Sequence, residues 1–330
     1  MALARGKTHT PLPAAADLRG RDLLELDDLG PTGVRALLDL ARHLRTTRAA
    51  DVRHALEGRV VALFFRKAST RTRVTFESAA ARLGATSLFL REGDIQIARG
   101  ESIEDTARVL SGYVDAIVVR TYAHAEVERW AAAADVPVVN ALTDLAHPTQ
   151  VVADWLTLED RFGQLGGLAA AYVGDGNNMA NSYLVGAALC GMDLRVATPP
   201  GYEPDAGALA LARRLAAATG ARLTVGHDPH AAVAGARAVI TDVWASMGQE
   251  QEAEARRQVF APYAVTPELF ARAAQDAVFL HCLPAHRGEE VAAEVIDGPR
   301  SLVLPEAHNR LWVEAAILLA LLGEEDGDVG

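Results

Sequence analysis

The stretch VVALFFRKASTRTR, residues 60–73, joins an apolar strand pattern directly to a basic segment that opens a helical pattern. The strand, Val60–Phe65, shows no polar alternation, which is expected when helices cover both faces of a sheet. Four basic residues follow it, and the first acidic residue after the strand is Glu77. This stretch therefore predicts a buried parallel strand whose carboxyl end faces a site for an anion.

The same alternation of a short apolar strand and an Ala- or Leu-rich helix recurs along the whole chain. We predict further strands at Thr86–Leu90, Ala116–Val119, Pro137–Asn140, Leu168–Val173, Leu194–Ala197, Arg222–Val225, Ala238–Thr241, Val278–His281 and Ser301–Leu304. Helical patterns lie at Val74–Leu83, Ile103–Gly112, Gln150–Phe162, Asn181–Cys190 and Ala206–Thr219. Strand–helix–strand order implies parallel sheets with right-handed crossovers, so the predicted fold class is α/β.

The length of the chain predicts two domains. The 330 residues correspond to two domains at roughly 150 residues each, and each would bury its own core. We expect the boundary near the helical pattern Gln150–Phe162, because the Gly-rich stretch Gly163–Gly167 leads from it into the second set of strands.

Charge and composition exclude several kinds of partner. There are 32 Lys and Arg against 43 Asp and Glu, a net charge of −11 at pH 7. This balance argues against nucleic acid or an anionic membrane as a partner, and alone it disfavours a polyanionic substrate. Two cysteines cannot form a disulfide framework. Because no apolar run reaches the length of a bilayer span and no secretory signal is evident, we expect a cytoplasmic protein.

The segment after the first strand has the chemistry of a phosphate site. A helix with its first turn near Thr72–Arg73 would direct free N–H groups and its positive dipole end towards an anion. Hydroxyl groups and arginine forks suit phosphate oxygens. A basic helix start with Ser/Thr caps is the alternative, but arginine there opposes the dipole. The loop has no glycine, which excludes a Walker A loop. The residues are Ser69, Thr70, Arg71, Thr72 and Arg73.

Polar residues follow five further predicted strands. In parallel sheets, ligands bind outside the carboxyl ends of the strands, so these residues are candidates for one shared site. They are Arg120, His147 to Gln150, Asp175 to Asn178, Asp242 with Ser246, and His281 with Cys282.

The segment Gly174-Asp175-Gly176 tests the interpretation as a nucleotide fold. Met179 stands where a dinucleotide fingerprint has its third glycine, and the following strand supplies no acidic residue for a ribose. We interpret the segment as a tight turn that presents Asn177 or Asn178 to a ligand, with a plain turn as an equal alternative.

Three side chains near the later strands remain open to alternatives. Asp242 and Ser246 are four residues apart and would share one helix face, although Asp242 could instead be an N-cap. Cys282 is a candidate substrate contact, with a buried thiol as the alternative. A metal pair with His281 lacks further ligands at structural-zinc spacing, and no activating group for a thiolate is evident. Cys190 is interpreted as core packing.

Taken together, these motifs resemble the aspartate/ornithine carbamoyltransferase family. Residues 69–73 resemble its carbamoyl phosphate loop, and residues 147–150 (HPTQ) resemble its second motif on the phosphate side. The pattern D-x-x-x-S-M-G at 242–248 with H-C-L-P at 281–284 is similar to the ornithine branch. The aspartate branch has a Pro-Leu-Pro-Arg type loop instead. The likeness runs from about Asp17 to Leu322, with the motifs in the family's order.

The resemblance implies a domain for each of two substrates. Residues 1–150 would bind carbamoyl phosphate, together with a C-terminal helix of about residues 310–322 that packs back on this domain. Residues 151–309 would bind ornithine. It also implies a homotrimer with shared active sites, because Gln96 matches a position that reaches the neighbouring subunit's site. No cofactor or metal is implied.

The resemblance also implies a role for each site residue. Arg71, Arg120, His147 and Cys282 would be the catalytic residues. Carbamoyl phosphate would be bound by Ser69, Thr70, Arg71, Thr72, Gln96, Arg120, His147, Gln150, Cys282, Leu283 and Arg310. Ornithine would be bound by Asn178, Asp242, Ser246, Met247, Cys282 and Leu283. A cis Leu283–Pro284 bond is expected, and His308 departs from the family, which more often has Glu there.

The implied reaction is direct acyl transfer without a covalent intermediate. The neutral side-chain amine of ornithine would attack the carbonyl carbon of carbamoyl phosphate, and phosphate would leave. A related amine such as acetylornithine or putrescine is an alternative acceptor, and a non-catalytic binding relative is another alternative. Asp242 disfavours both amines because it matches recognition of a free α-amino acid end. The presence of Arg71, Arg120 and Arg310 disfavours the non-catalytic relative.

Overall fold

A computed structural model describes residues 18–245 and 253–323. The first of its two sheets has four parallel strands in the order β2-β1-β3-β4. Except for Val60, which is partly exposed, every residue of β1, β3 and β4 is buried, as expected for strands covered on both faces, whereas β2 is a partly exposed edge strand. The bounds are Val60–Phe65 (β1), Thr86–Arg91 (β2), Ala116–Arg120 (β3) and Val138–Leu142 (β4).

The second sheet has five parallel strands in the order β7-β6-β5-β8-β9. Its strand order reverses next to β5, so the carboxyl ends of β5 and β8 flank a crevice of the kind in which open α/β sheets bind ligands. The prediction of two parallel sheets is confirmed. The strands are Ala169–Val173 (β5), Asp193–Ala197 (β6), Arg222–Gly226 (β7), Ala238–Thr241 (β8) and Val278–His281 (β9).

Helices flank both sheets. Each of the five predicted helical patterns is a helix, and three of them begin earlier than predicted. The bounds are Gly30–Thr46 (α1), Ala49–Val52 (α2), Thr70–Leu83 (α3), Ile103–Ser111 (α4), His124–Ala133 (α5), Pro148–Phe162 (α6), Asn178–Leu189 (α7), Ala206–Thr219 (α8), Pro229–Val233 (α9), Ala253–Phe260 (α10), Pro267–Phe270 (α11), Ala293–Ile296 (α12) and Val303–Leu322 (α13).

The predicted tenth strand, Ser301–Leu304, is wrong. Ser301 makes one isolated parallel bridge to Phe279, and α13 begins at Val303. A short apolar run does not distinguish a strand from a buried helix. Pro305 falls in the first turn of α13, where backbone N–H groups have no partner within the helix, so its missing N–H costs nothing there.

The last helix returns the chain to the first sheet. Helix α13 packs against α1, α3 and α6, which confirms the prediction that a C-terminal helix packs back on the first domain. The backbone N–H of Gly20 donates to the carbonyl oxygen of Leu321 at 3.1 Å, so residues near the two ends of the described chain are in contact. No helix within residues 18–245 and 253–323 is both long and apolar enough to cross a bilayer.

Candidate active site

The start of α3 lies beside the carboxyl ends of β1 and β3. Ser69 has an extended backbone and is the N-cap, because its side-chain oxygen accepts a hydrogen bond from the backbone N–H of Thr72 at 3.2 Å. Ser69 therefore caps α3, as the alternative interpretation of this segment predicts. That interpretation does not account for Arg71, whose half-buried guanidinium donates from Nη2 to the carbonyl oxygen of Leu283 at 2.5 Å.

Two of the basic residues in this segment turn away from Arg71. Arg66 forms ion pairs with Glu92 and Glu126. Arg73 pairs with Glu77 at 2.9 Å, one helical turn along α3. The anion-binding charge predicted from four adjacent basic residues is thus partly neutralised by local carboxylates.

Two arginines from distant parts of the chain lie near Arg71 instead. Arg120 is the last residue of β3 and Arg310 lies on α13, and both are buried. Burial and the neighbouring charges of Arg310 and Arg71 lower the pKa of Arg120 to about 9. Burial lowers the pKa of Arg71 as well. We refer to Arg71, Arg120 and Arg310 as the arginine cluster. Grouped buried positive charges are costly without an anion, so the cluster fits a phosphate.

Arg310 is held by hydrogen bonds to three different helices. Its Nη1 donates to Oε1 of Gln150 at 3.0 Å, and its Nη2 donates to Oγ1 of Thr72 at 3.0 Å. Nη2 also donates to Oε1 of Glu314 at 2.6 Å. His308 is exposed, so its departure from the family pattern leaves the contacts of Arg310 in place.

His147 supplies a neutral imidazole next to the arginine cluster. Its backbone N–H donates to Oγ of Ser182 at 2.8 Å, which ties the loop after β4 to helix α7. Burial and the adjacent cations Arg310 and Arg120 lower the pKa of His147 well below its ordinary value. Among the described residues its Nδ1 has no hydrogen-bond partner. A neutral ring with one open nitrogen can donate to, or accept from, a substrate.

The carboxyl ends of β5, β8 and β9, in the second sheet, carry the other predicted site residues. Asp242 follows β8 and is buried, and its Oδ2 accepts from Nδ2 of Asn177 at 2.8 Å. Its Oδ1 accepts from Sγ of Cys282 at 3.2 Å. Residues 242–245 form no helix, so Asp242 does not cap one there. Both carboxylate oxygens are therefore oriented by neighbours.

The turn between β5 and α7 is as tight as predicted. A Cβ atom at Gly176 would lie 2.4 Å from the carbonyl oxygen of Tyr202, so only glycine fits there. Asn177 is the N-cap of α7, accepting from the N–H of Met179 at 2.9 Å. Asn178 donates from Nδ2 to the carbonyl oxygen of Thr143 at 2.6 Å, a contact to the loop that carries His147.

The neighbourhood of Cys282 disfavours both a reactive thiolate and a metal pair. Burial and the carboxylate of Asp242 raise the pKa of Cys282 well above its ordinary value, so the sulfur carries its proton. Asp242, His281 and Cys282 group their ligand atoms within 4.8 Å. However, Nδ1 of His281 accepts from the N–H of Leu283 at 2.9 Å, and its Nε2 contacts Oε1 of Glu290 at 3.1 Å. Both ring nitrogens of His281 are engaged, which disfavours a metal pair.

Gln96 is the one predicted site residue of the described chain that does not lie beside the arginine cluster or Asp242. Gln96 is exposed, and in the described chain no hydrogen bond joins it to the arginine cluster; its Oε1 accepts from Arg99 at 3.4 Å. Ser246 and Met247 lie outside the described residues. The Leu283–Pro284 peptide bond is cis, as expected.

Two buried carboxyl groups beside the site, those of Asp154 and Glu306, were missed from the sequence, whereas Asp175 was among the candidates. Asp154 and Glu306 are fully buried next to Gln150, and Asp175 pairs with Arg256 close to Asp242. The spacing of four between Gln150 and Asp154 could have indicated a buried polar helix face. The same spacing recurs at Glu306, Arg310 and Glu314.

These features define a two-domain α/β protein with an anion site and a small polar ligand site facing each other across one crevice. Two family models match the chain. "Aspartate/ornithine carbamoyltransferase, carbamoyl-P binding domain" matches residues 21–160, and "Aspartate/ornithine carbamoyltransferase, Asp/Orn binding domain" matches residues 166–321. The chain belongs to the aspartate/ornithine carbamoyltransferase family.

Individual relatives agree with this assignment. The chain is 53% identical over 309 residues to an ornithine carbamoyltransferase of Carboxydothermus hydrogenoformans, covering 93% of this chain and 99% of that protein. It is 48% identical over 305 residues to that of Bacillus subtilis, covering 92% and 95%. The solved structure of ornithine carbamoyltransferase from Pyrococcus furiosus superposes with a TM-score of 0.89 at 47% identity, covering 93% and 98%.

Proposed function

We propose that this chain transfers the carbamoyl group of carbamoyl phosphate to the side-chain amine of L-ornithine, giving L-citrulline and phosphate. The observation that carries the proposal is the arginine cluster with neutral His147, which faces the oriented carboxylate of Asp242 across one crevice. We assign residues 1–150 with the C-terminal helix to carbamoyl phosphate, and residues 151–309 to ornithine.

The phosphate would bind at the start of α3. Free N–H groups and hydroxyls there suit phosphate oxygens, and arginine forks neutralise their charge. Thr72 accepts a hydrogen bond from Arg310 and so sets the direction of that guanidinium. The phosphate ligands are Ser69, Thr70, Arg71, Thr72 and Arg310.

The carbamoyl end would lie between Arg120, His147 and Gln150. Arg120 and His147 polarise the carbonyl oxygen. Both N–H bonds of the Gln150 amide are already donated, to Asp154 at 2.8 Å and to Glu306 at 3.1 Å. Its Oε1 accepts one bond from Arg310 and keeps a second lone pair for the carbamoyl NH₂. Residues 282 and 283 close the pocket on the opposite side.

Ornithine would bind at the ends of β5, β8 and β9. Asp242 pairs with the α-amino group, and Asn178, Ser246 and Met247 complete the site for the amino acid end. Cys282 and Leu283 would contact the side-chain amine. The carboxylate of Asp242 suits an ammonium group and disfavours an acylated amine, so acetylornithine fits this pocket poorly.

The chemical step is attack of the neutral amine on the carbonyl carbon, with departure of phosphate. Arg71, Arg120 and His147 would stabilise the oxyanion of the tetrahedral intermediate, a contribution that is usually large. Removing the proton from an amine with a pKa near 10 costs about 4 kcal/mol at pH 7. Placing both substrates side by side supplies roughly 7–11 kcal/mol. We expect carbamoyl phosphate to bind first, followed by closure that excludes water.

A panel of acceptors tests the reaction. Phosphate release from carbamoyl phosphate is measured with L-ornithine, acetylornithine, putrescine and L-aspartate. We expect release with L-ornithine alone, because only it offers both a free α-amino acid end and a side-chain amine. Equal or faster release with another acceptor would contradict the substrate assignment, and no release with any acceptor would favour a non-catalytic relative.

We further propose a homotrimer in which Gln96 serves the neighbouring subunit's site. Gln96 is exposed, and a surface cavity of about 840 Å³ opens beside Ser69 and Thr70. Val74 and Leu88 are exposed apolar residues of the same region. An open cavity beside the phosphate loop is suited to a side chain from a second copy.

Mixing two inactive variants tests the shared site. Gln96→Ala and Arg71→Met would each lose activity alone. If sites form between subunits, mixed trimers contain sites with neither change, and co-expression restores up to about a quarter of the wild-type activity. Absence of any restored activity in mixed trimers would contradict sharing, and light scattering of the wild-type protein reports the oligomeric state.

A further inference from the structure

The carboxyl group of Glu306 contacts residues of both proposed substrate sites. It lies in the first turn of α13 and is fully buried. Its Oε2 accepts the backbone N–H of His281 at 3.0 Å, at the end of β9 and directly before Cys282. Its Oε1 accepts Nε2 of Gln150 at 3.1 Å. A single side chain thus joins the strand end on the ornithine side to a residue on the carbamoyl phosphate side.

Hydrogen bonds continue from Gln150 into the arginine cluster. Oε1 of Gln150 accepts from Nη1 of Arg310 at 3.0 Å, and Nη2 of Arg310 donates to Thr72 at 3.0 Å. A continuous series of hydrogen bonds therefore joins His281 to Thr72 in the phosphate loop. Because each bond is directional, a shift of the strand end on one side changes the preferred positions on the other.

Asp154 holds Glu306 in this position. The two carboxyl groups are both buried and hydrogen-bond to each other, and Asp154 also accepts from the hydroxyl of Tyr183 at 2.6 Å. Burial raises the pKa of Asp154 to about 6 and raises that of Glu306 well above its ordinary value. Burial therefore favours a proton held between these two carboxyl groups, while Glu306 accepts from His281 and Gln150.

We propose that Glu306 is a positioning residue that couples carbamoyl phosphate binding to ornithine binding. When carbamoyl phosphate draws Arg310 and Gln150 towards it, Glu306 carries the adjustment to the backbone of His281 and so to Cys282 and Leu283. The function needed is reach and hydrogen bonding rather than negative charge. The inference rests on the proposed function.

The test measures this coupling directly. L-Norvaline has the ornithine skeleton without the attacking amine, so its binding can be followed by calorimetry with and without carbamoyl phosphate. In the wild type we expect carbamoyl phosphate to tighten L-norvaline binding roughly 10-fold or more. Glu306→Asp keeps an acid but is one methylene too short to reach both partners, and we expect its coupling factor to fall below about 3. Glu306→Gln keeps the reach, but its amide has only one accepting oxygen, so it can accept from His281 or from Gln150 and not from both, and its coupling factor should fall as well.

Controls separate positioning from folding and from the proposed function itself. His308→Ala changes an exposed residue on the same helix and should leave the coupling unchanged. A full wild-type coupling factor in Glu306→Asp would overturn the proposal, as would loss of coupling in His308→Ala to the same degree. If the wild type instead transfers no carbamoyl group to ornithine, the proposed function fails before the coupling is measured.

Discussion

The thiol of Cys282 donates a hydrogen bond to Oδ1 of Asp242 at 3.2 Å and so joins the carboxyl ends of β9 and β8. Because burial and this carboxylate raise the pKa of Cys282 well above its ordinary value, the thiol keeps its proton at neutral pH. Together with Asn177 on the other oxygen, it fixes the direction of the carboxylate that would meet the α-amino group of ornithine.

Cys282→Ala should raise the KM for ornithine and leave measurable turnover. Hydrogen bonds to charged groups contribute about 1.5–3 kcal/mol, so a roughly 10-fold to 100-fold rise is expected. Steady-state kinetics with varied ornithine measure it. Cys190→Ala is the matched control, since Cys190 packs against the core. Complete loss of turnover, with ornithine binding unchanged by calorimetry, would instead indicate an essential catalytic thiol.

Arg71→Met should abolish most turnover and weaken binding of inorganic phosphate. In the proposed mechanism the guanidinium faces the developing charge, and removal of one such donor typically costs about 100-fold or more in kcat. Calorimetry with phosphate gives the affinity. Arg73→Met removes an arginine two residues away that pairs with Glu77, and its phosphate affinity should stay close to that of the wild type. Equal weakening in both variants would contradict the assignment of Arg71 as the phosphate ligand.

The free energy of unfolding should fall on acidification through the pKa of an ordinary histidine because of His147. Its pKa is lowered in the folded protein, so below about pH 6.5 the unfolded chain binds a proton that the folded protein excludes. The stabilisation that depends on neutral His147 is complete above this pH. It is lost as the pH falls, by at most ~1.4 kcal/mol per pH unit for this group. Urea unfolding at pH 7.5 and 5.5 measures the loss.

His147→Asn should lose less stability than the wild type over the same pH interval, because asparagine has no proton to bind. The comparison cancels the contributions of other histidines, which both proteins share. Parallel pH dependence in the two proteins would show that His147 does not titrate differently on unfolding.

Arg256→Met should destabilise the ornithine side of the crevice. Arg256 forms a buried ion pair with Asp175 and donates to the carbonyl oxygen of Trp244. Leaving a buried carboxylate without its cation costs about 3–5 kcal/mol. Urea unfolding at pH 7.5 should show this loss. Arg257→Met, at a half-exposed neighbour, should cost under about 1 kcal/mol. A similar effect of both substitutions would refute the importance of the buried pair.

Local patterns predicted most of the fold. Nine of the ten predicted strands exist because an apolar run between turn signals is enough to define a strand buried between helices. The prediction of a strand at Ser301–Leu304 failed because the run makes one isolated bridge, from Ser301 to Phe279, and because a helix begins at Val303, which buries Val303 and leaves Leu304 exposed. Tertiary packing decided between two local structures that the run fits equally well.

The candidate site was predicted by motif and only partly by charge. Adjacent arginines suggested a local anion site, yet Arg66 is paired with Glu92 and Glu126, which are distant in the sequence. Arg73 is paired with Glu77, which the spacing of four residues could have indicated. The net charge of −11 was a poor guide as well, because it sums over the whole chain and hides the local positive charge of Arg71, Arg120 and Arg310. The partners of Glu306 were inaccessible from sequence, since they come from two other parts of the chain.

The return of α13 to the first sheet has a consequence for how the molecule is made. A ribosome releases the N-terminal part of the chain first, but α1, α3 and α6 lack their common packing partner until Val303–Leu322 has emerged. The five strands of the second sheet all precede α13 in the chain, so they can pair with one another before that helix is made. The proposed phosphate pocket, which takes Arg310 from that helix, can therefore close only after residues 303–322 have been synthesised.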